Sequence, residues 1–143
     1  MVATFAQDYS FGIDSEIANH KLIEKILKTP LTRKGGKAIY DFVNEKATVH
    51  ADLKTRRIRH NDYPTALIGA NKVEYADQNT NSDYWFIYKY LDGVYSIKYE
   101  KKLFDTFEKR LFERSSRSDN NAGPQLCYFI PHSALTNCTP QKS

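Results

Sequence analysis

Proline and glycine are scarce in this chain, with five and six copies among 143 residues. That excludes a collagen-like or low-complexity chain, both of which are rich in these residues. Methionine and tryptophan occur once each. The two cysteines, Cys127 and Cys138, have no second cysteine or histidine at ligand spacing, which argues against a zinc site. Two reduced thiols are expected; a disulfide between them is the open alternative and would tie down only the tail. No stretch approaches the ~20 apolar residues that a membrane helix needs. The opening MVATFAQDYSFG lacks the basic-then-apolar order of a secretory signal. A cytoplasmic, intracellular protein without membrane contact is the expectation.

What the chain does have is aromatic and basic. Ten tyrosines and eight phenylalanines suit a sheet. A hydrophobic fraction of 41% and a charged fraction of 27% are those of an ordinary globule, and the length fits one domain over residues 1–143. The net charge is +4 and the sequence pI about 9.0. Lys54, Arg56, Arg57 and Arg59 put four cations into six residues, a cluster that attracts polyanions, phosphate backbones above all. A solvated basic loop is the bland alternative.

Periodicity predicts a helix from about Asp14 to Lys28, stopped by Pro30, with Ile13, Ile17, Ile23 and Leu27 on its inward stripe. Glu16 and His20 fall within that stripe. A carboxylate there is costly unless it reaches water or a polar site; His20 either bonds Glu16 or packs, and packing is preferred. Thr32 to Lys37 reads as a basic turn. Ala38–Val43 and Thr48–Lys54 read as paired strands around a loop at Asn44–Ala47, with Val43 opposite Thr48 and Asp41 opposite His50. By alternation, one face carries Tyr40, Phe42, Val49, Ala51 and Leu53, the other Asp41, His50, Asp52 and Lys54. A helix over Thr65–Asp77, a buried strand over Tyr84–Leu91, a turn at Asp92-Gly93 and a strand over Val94–Tyr99 follow. The chain then reads as an amphipathic helix over Glu100–Arg114, with Leu103, Phe104, Phe107 and Leu111 buried. A loop at Ser115–Gln125 and a last strand at Leu126–Ile130 complete the order. It implies one layered α/β domain, a mixed sheet flanked by helices.

The polar face of the hairpin has a specific chemistry. Phosphodiester hydrolysis needs hard oxygen ligands for a divalent cation, a water made more acidic by that cation, and a positive group that orients the water or offsets developing charge. Asp41 and Asp52 on neighbouring strands supply the first. Lys54, two residues past Asp52, emerges on the same face.

Asp41 followed eleven residues later by Asp52-Leu53-Lys54 resembles the PD-(D/E)xK pattern of restriction-endonuclease-like nucleases. The contexts AIYDFV and ATVHADLK, an upstream helix bearing Glu16, a later helix bearing Lys72, the strand YWFIYKY and the closing CYFIP are similar to small phage-type members. The resemblance covers roughly Phe11 to Leu135. It implies a restriction-endonuclease-like fold and a metal-dependent nuclease, an endonuclease on DNA, phage- or virus-encoded. Asp41 and Asp52 would hold Mg²⁺ or Mn²⁺, with the Leu53 carbonyl as a further ligand and Glu16 completing or supporting the shell, while Lys54 positions the attacking water. Two departures stand out: Tyr40 replaces the proline before the first acid, and the second acid is Asp where Glu is commoner. Asn71 and Tyr75 loosely resemble the Gln-x-x-x-Tyr element of the exonuclease branch, with Asn71 in place of glutamine.

Beside these, Arg56, Arg57 and Arg59 are expected to grip the nucleic-acid backbone, Lys72 to contact a phosphate and Tyr63 to stack on a base. His50 is expected to be a satisfied polar neighbour, and His60 and His132 to be loop residues. Two rival readings remain: a non-catalytic nucleic-acid-binding domain on the same scaffold, and a protein–protein adaptor using exposed Tyr and Phe. With no room for a separate recognition domain, specificity is expected from a homodimer or a protein partner.

Overall fold

The computed structural model describes residues 5–35, 38–112 and 124–140. Its first element is helix α1 (Phe5–Leu27), which begins earlier than the predicted Asp14. Lys28, at φ 58°, takes the left-handed conformation that ends helices, and Pro30 follows. Glu24 Oε2 then accepts the Leu31 amide at 2.7 Å and fixes the exit of the chain. Of the predicted inward stripe, Ile23 is buried, but Ile17 is 60% exposed. The period holds for the C-terminal half; further back the helix turns Ser15, not Ile17, inward against Thr55.

The main sheet has six strands in the order β1 (Thr32–Arg33), β2 (Phe42–Val43), β3 (Val49–Thr55), β5 (Asp83–Tyr90), β6 (Gly93–Lys98), β9 (Thr136–Asn137). It is mixed: β3 and β5 run parallel and the other pairs antiparallel. The predicted strand Ala38–Val43 is only two residues long. Its partner register is Val43 opposite His50 and Phe42 opposite Ala51, two residues from the expected pairing. A shift of two preserves the faces, and it brings Asp41 towards Asp52 instead of His50. The turn is closed by Asn44, whose Oδ1 accepts the amides of Thr48 and Val49 at 2.8 and 2.9 Å.

Alternation along β3 and β5 builds two cores. Ala51, Leu53 and Ile87 point towards α1, where they pack with Ile23, Leu31, Phe42 and Val94. Phe86, Tyr88 and Tyr90 point to the other side and join Ile97 and Tyr40. Tyr40 therefore lies on the opposite side from Phe42, a correction to the hairpin reading. It precedes β2 instead of belonging to it, so strand alternation does not govern it. β5 is buried on both faces along most of its length, as its apolar run predicts.

The second core is closed by a three-stranded sheet in the order β4 (Thr65–Gly69), β8 (Gln125–Pro131), β7 (Glu108–Phe112), with helices α2 (Ala70–Gln78) and α3 (Lys101–Phe104). Two predicted helices are corrected here. Thr65–Asp77 is strand for its first five residues: Ala66 and Ile68 are buried and their neighbours are not, a two-residue period. Glu100–Arg114 is one helical turn followed by β7, in which Leu111 is 63% exposed. Both segments have compositions that either state accepts, and pairing with β8 decides for strand. β8 is not the last strand, since β9 follows. The Ser115–Gln125 loop falls mostly outside the described residues.

The β5–β6 hairpin turns through Leu91 and Asp92, and Gly93 already pairs with Tyr90. Glycine is needed at 93 because a Cβ would lie 2.5 Å from Thr139 Oγ1, which accepts the Val94 amide at 3.0 Å. Cys138 Sγ lies 3.1 Å from Ser96 Oγ, and no disulfide joins Cys127 and Cys138. Among the described residues, no helix is long and apolar enough to cross a membrane.

Candidate functional site

Because β2 begins only at Phe42, the polar face of β3 is left beside the residues that precede it. Asp52 sits at the centre of β3 and is only 1% exposed. A carboxylate buried so deeply stays charged only if cations and donors compensate it. Two lysines do so. Lys72 of α2 places Nζ 2.7 Å from Asp52 Oδ1, and Lys54 places Nζ 3.6 Å from Asp52 Oδ2. Burial pushes the Asp52 carboxyl up, but the two ammonium groups outweigh it and hold the group below the ordinary carboxylate value. Oδ2 meets no N–H or hydroxyl donor within hydrogen-bond distance among the described residues, while a protonated Asp41 carboxyl shares its proton with Asp52.

Asp41 stands next to it. Its Oδ2 accepts the Leu53 amide at 2.8 Å, and its backbone carbonyl accepts the Lys34 amide at 2.8 Å. Burial and then the Asp52 charge push the Asp41 carboxyl up to about 7, Glu16 adding to the rise and the Leu53 amide opposing it. Two carboxylates that close resist ionising together. Glu16, on α1, is raised by burial, with Arg33 opposing; its Oε1 accepts from Arg33 Nε at 3.0 Å. A small cavity of about 140 Å³ lies against Glu16, Arg33, Tyr40 and Asp41.

Sequence reading thus brings Asp41, Asp52 and Lys54 to one place, with Glu16 near enough to act on Asp41. It missed Arg33, the partner of Glu16, because a basic turn gives no sign of which cation folds back. It also missed that Lys72 is committed inward: besides Asp52, its ammonium donates to the Ile39 carbonyl at 2.5 Å. Tyr40 Oη donates to the Lys72 carbonyl at 2.7 Å, which ties α2 to the residues before Asp41. Ser15 and Thr55 hydroxyls are bonded, joining α1 to the end of β3. The Leu53 side chain is buried towards α1.

The remaining predicted residues are dispersed. Arg56, Arg57 and Arg59 follow β3; all three are exposed. The Arg57 guanidinium lies 3.7 Å above the Phe11 ring, and the Arg59 amide donates to Asp62 Oδ2 at 2.9 Å. Tyr63 is 57% exposed on the same loop. His50 stacks on Tyr84 at 4.9 Å, with Nε2 3.2 Å from the Ala47 carbonyl; burial lowers its pKa. His20 packs against Phe42, and its Nε2 is 2.6 Å from the Leu31 carbonyl. His60 is paired with Asp92 at 2.7 Å, and His132 opens a 3₁₀ turn.

Asp41 and Asp52 offer hard oxygen donors of the kind Mg²⁺ or Mn²⁺ takes. The Asp41–Asp52 pair, which shares a proton because the second ionisation is held back, fits a cation: it would take the place of that proton and relieve the repulsion. The fit is to a pair of carboxylates, since no group of three His, Cys, Asp or Glu side chains gathers at ligand spacing among the described residues. A magnesium site commonly has one or two carboxylates, the rest being water and substrate. No family model matches this chain, and no curated protein matches it.

Proposed function

We propose that this chain is a metal-dependent nuclease with a restriction-endonuclease-like fold, hydrolysing phosphodiester bonds in DNA. The observation that carries the reading is the buried Asp52 paired with Asp41, whose carboxyl it pushes up to about 7, with the Lys54 ammonium 3.6 Å away. Asp41 and Asp52 would hold Mg²⁺ or Mn²⁺, with the Leu53 carbonyl as a further donor. The ion would polarise the phosphate and acidify a bound water.

The protein side of the chemistry follows from the charges. Lys54 is one-third exposed and makes no hydrogen bond among the described residues, so its donors are available to orient a water or offset phosphoryl charge. Lys72 keeps Asp52 ionised and fixes its rotamer. Glu16 on α1, held by Arg33, would complete or support the metal shell. Arg56, Arg57 and Arg59 lie on exposed chain after the catalytic strand, suited to the flanking phosphates.

Cleavage of DNA in Mg²⁺ and in Mn²⁺, with a chelator control, tests this. Lys54→Ala is the cleaner variant, because Lys54 is partly exposed; Asp52→Asn removes a charge that Lys72 needs, so its thermal melting must be followed as well. Both are expected to lose cleavage. Parental rates in both variants would overturn the assignment. A second reading is favoured by one contact: Lys72 already neutralises Asp52 from inside at 2.7 Å, as a domain that binds DNA without cutting it would require. That protein would bind DNA equally well with and without chelator and leave it intact.

A further inference from the structure

The small sheet ends on an open strand. Among the described residues, β7 pairs with β8 on one side and with no strand on the other. Its outer edge presents unpaired backbone N–H and C=O groups, a template for another strand. Proteins commonly guard such an edge with charges. Here the two cations of β7 fold back over rings of β8. Lys109 Nζ lies 5.4 Å from the centre of the Tyr128 ring, and the Arg110 guanidinium lies 3.9 Å from that of Phe129. Glu108 is in turn paired with Arg110. What the strand leaves open is apolar. Leu111 is 63% exposed, and Leu126, opposite it on β8, is 39% exposed. Opposite residues of an antiparallel pair share a face, so the two make one apolar patch that runs to the edge. Neither leucine joins either core.

The sequence says what fits this edge. Residues 108–114 read EKRLFER. Laid antiparallel on itself about Leu111, this sequence matches Leu with Leu, Arg with Phe, Lys with Glu and Glu with Arg. An axis at Arg110 would oppose two arginines and one at Lys109 two lysines, pairings that cost stability. An axis at Phe112 would match Leu with Glu. We propose that a second copy of this chain docks here, β7 pairing antiparallel with its counterpart about Leu111. The two small sheets then join into one. On one face, Leu126 and Leu111 meet Leu111 and Leu126 of the second copy in a continuous row. On the other, Arg110 of each copy stands beside Phe112 of the other, a cation next to a ring. The contact uses the same patch on both copies, so it closes as a dimer and does not propagate. It stands apart from the nuclease reading; where that reading holds, the dimer carries two active centres.

The contact is small, so half-dimerisation is expected at roughly 10 µM chain. Sedimentation velocity of the full chain without DNA, over about a hundredfold range around that concentration, is expected to show monomer giving way to dimer. Leu111→Lys sets two ammonium groups face to face and is expected to weaken dimerisation about tenfold or more. Leu111 is exposed, so that variant is expected to melt like the parent. Leu111→Cys tests the register. Residues opposite each other on antiparallel strands have Cα atoms about 4.5–5.5 Å apart, within disulfide reach. Mild oxidation is expected to link this variant into a covalent dimer on a non-reducing gel. Arg110→Cys, out of register with itself, and the parent with its own two cysteines are expected to stay unlinked. A parent that is monomeric at every concentration overturns the proposal and leaves the edge bare or to a foreign strand. So does a dimer that survives Leu111→Lys, and so does linking of Arg110→Cys as fast as of Leu111→Cys.

Discussion

The chemistry of single residues is concentrated in two neighbouring carboxylates with opposite behaviour. Asp52 is held below its ordinary value by two lysines, and Asp41 is pushed up to about 7 by burial and by Asp52. The signs give different pH windows. A carboxyl raised on folding binds its proton more tightly in the native state, so Asp41 costs stability progressively as pH rises from about 4 to about 7. Asp52 contributes stability above the unfolded carboxylate value and loses it in acid. With chelator present, Asp41→Asn is therefore expected to raise the melting temperature at pH 8 and to have little effect at pH 4. The stabilisation is on the order of 2 kcal/mol, reduced from the full shift because Asp41 is partly exposed. An amide oxygen can still accept the Leu53 amide, so the variant keeps that bond. The same change in melting temperature at both values, followed by circular dichroism, would show that folding does not raise the Asp41 pKa.

At the scale of elements, α2 holds the site from above and β3 from within. Lys72 reaches Asp52 from α2 with its side chain 17% exposed, whereas Lys54 lies on β3 at 33% and further from the acid. Removing one partner of a buried pair leaves a charge without compensation, at a cost of about 3–5 kcal/mol. Lys72→Met is expected to lose that much in a urea titration, and Lys54→Met distinctly less; equal losses would mean that Lys72 is not the main counterion. The strand carrying Asp52 and Lys54 was legible because alternation on a paired strand leaves few choices, and a register error of two residues does not move a side chain to the other face. The element that supplies Lys72 was only partly legible. The segment TALIGANKVEYAD changes period midway, from two to near four, and a single helical reading averages over the change. The same holds for the segment that becomes α3 and β7. Neither β7 nor β4 has an intrinsic pattern strong enough to reveal a partner 13 or more residues away in sequence.

For the whole molecule, the excess of 21 basic over 17 acidic residues matters less than where the exposed cations fall. Arg56, Arg57 and Arg59 leave β3 next to the site, and the Arg57 guanidinium is already held over Phe11. If these three meet phosphates, DNA affinity will fall steeply with salt, each contact adding about 0.9 to the log–log slope. Replacing all three by alanine is expected to flatten the slope by about two to three; an unchanged slope in anisotropy titrations would mean that the duplex lies elsewhere. The adaptor reading predicts no such dependence. Two packed cores on either side of one mixed sheet hold this arrangement, and the buried ring of Tyr40 links them to α2 through its bond to Lys72.

The most direct measurement is an anomalous difference map from a crystal grown with Mn²⁺. The account predicts one peak shared by the Asp41 and Asp52 carboxylates, at Asp52 Oδ2, with Lys72 still bonded to Oδ1. A map with no peak there at saturating Mn²⁺, and Lys54 closed onto Oδ2 instead, would contradict it.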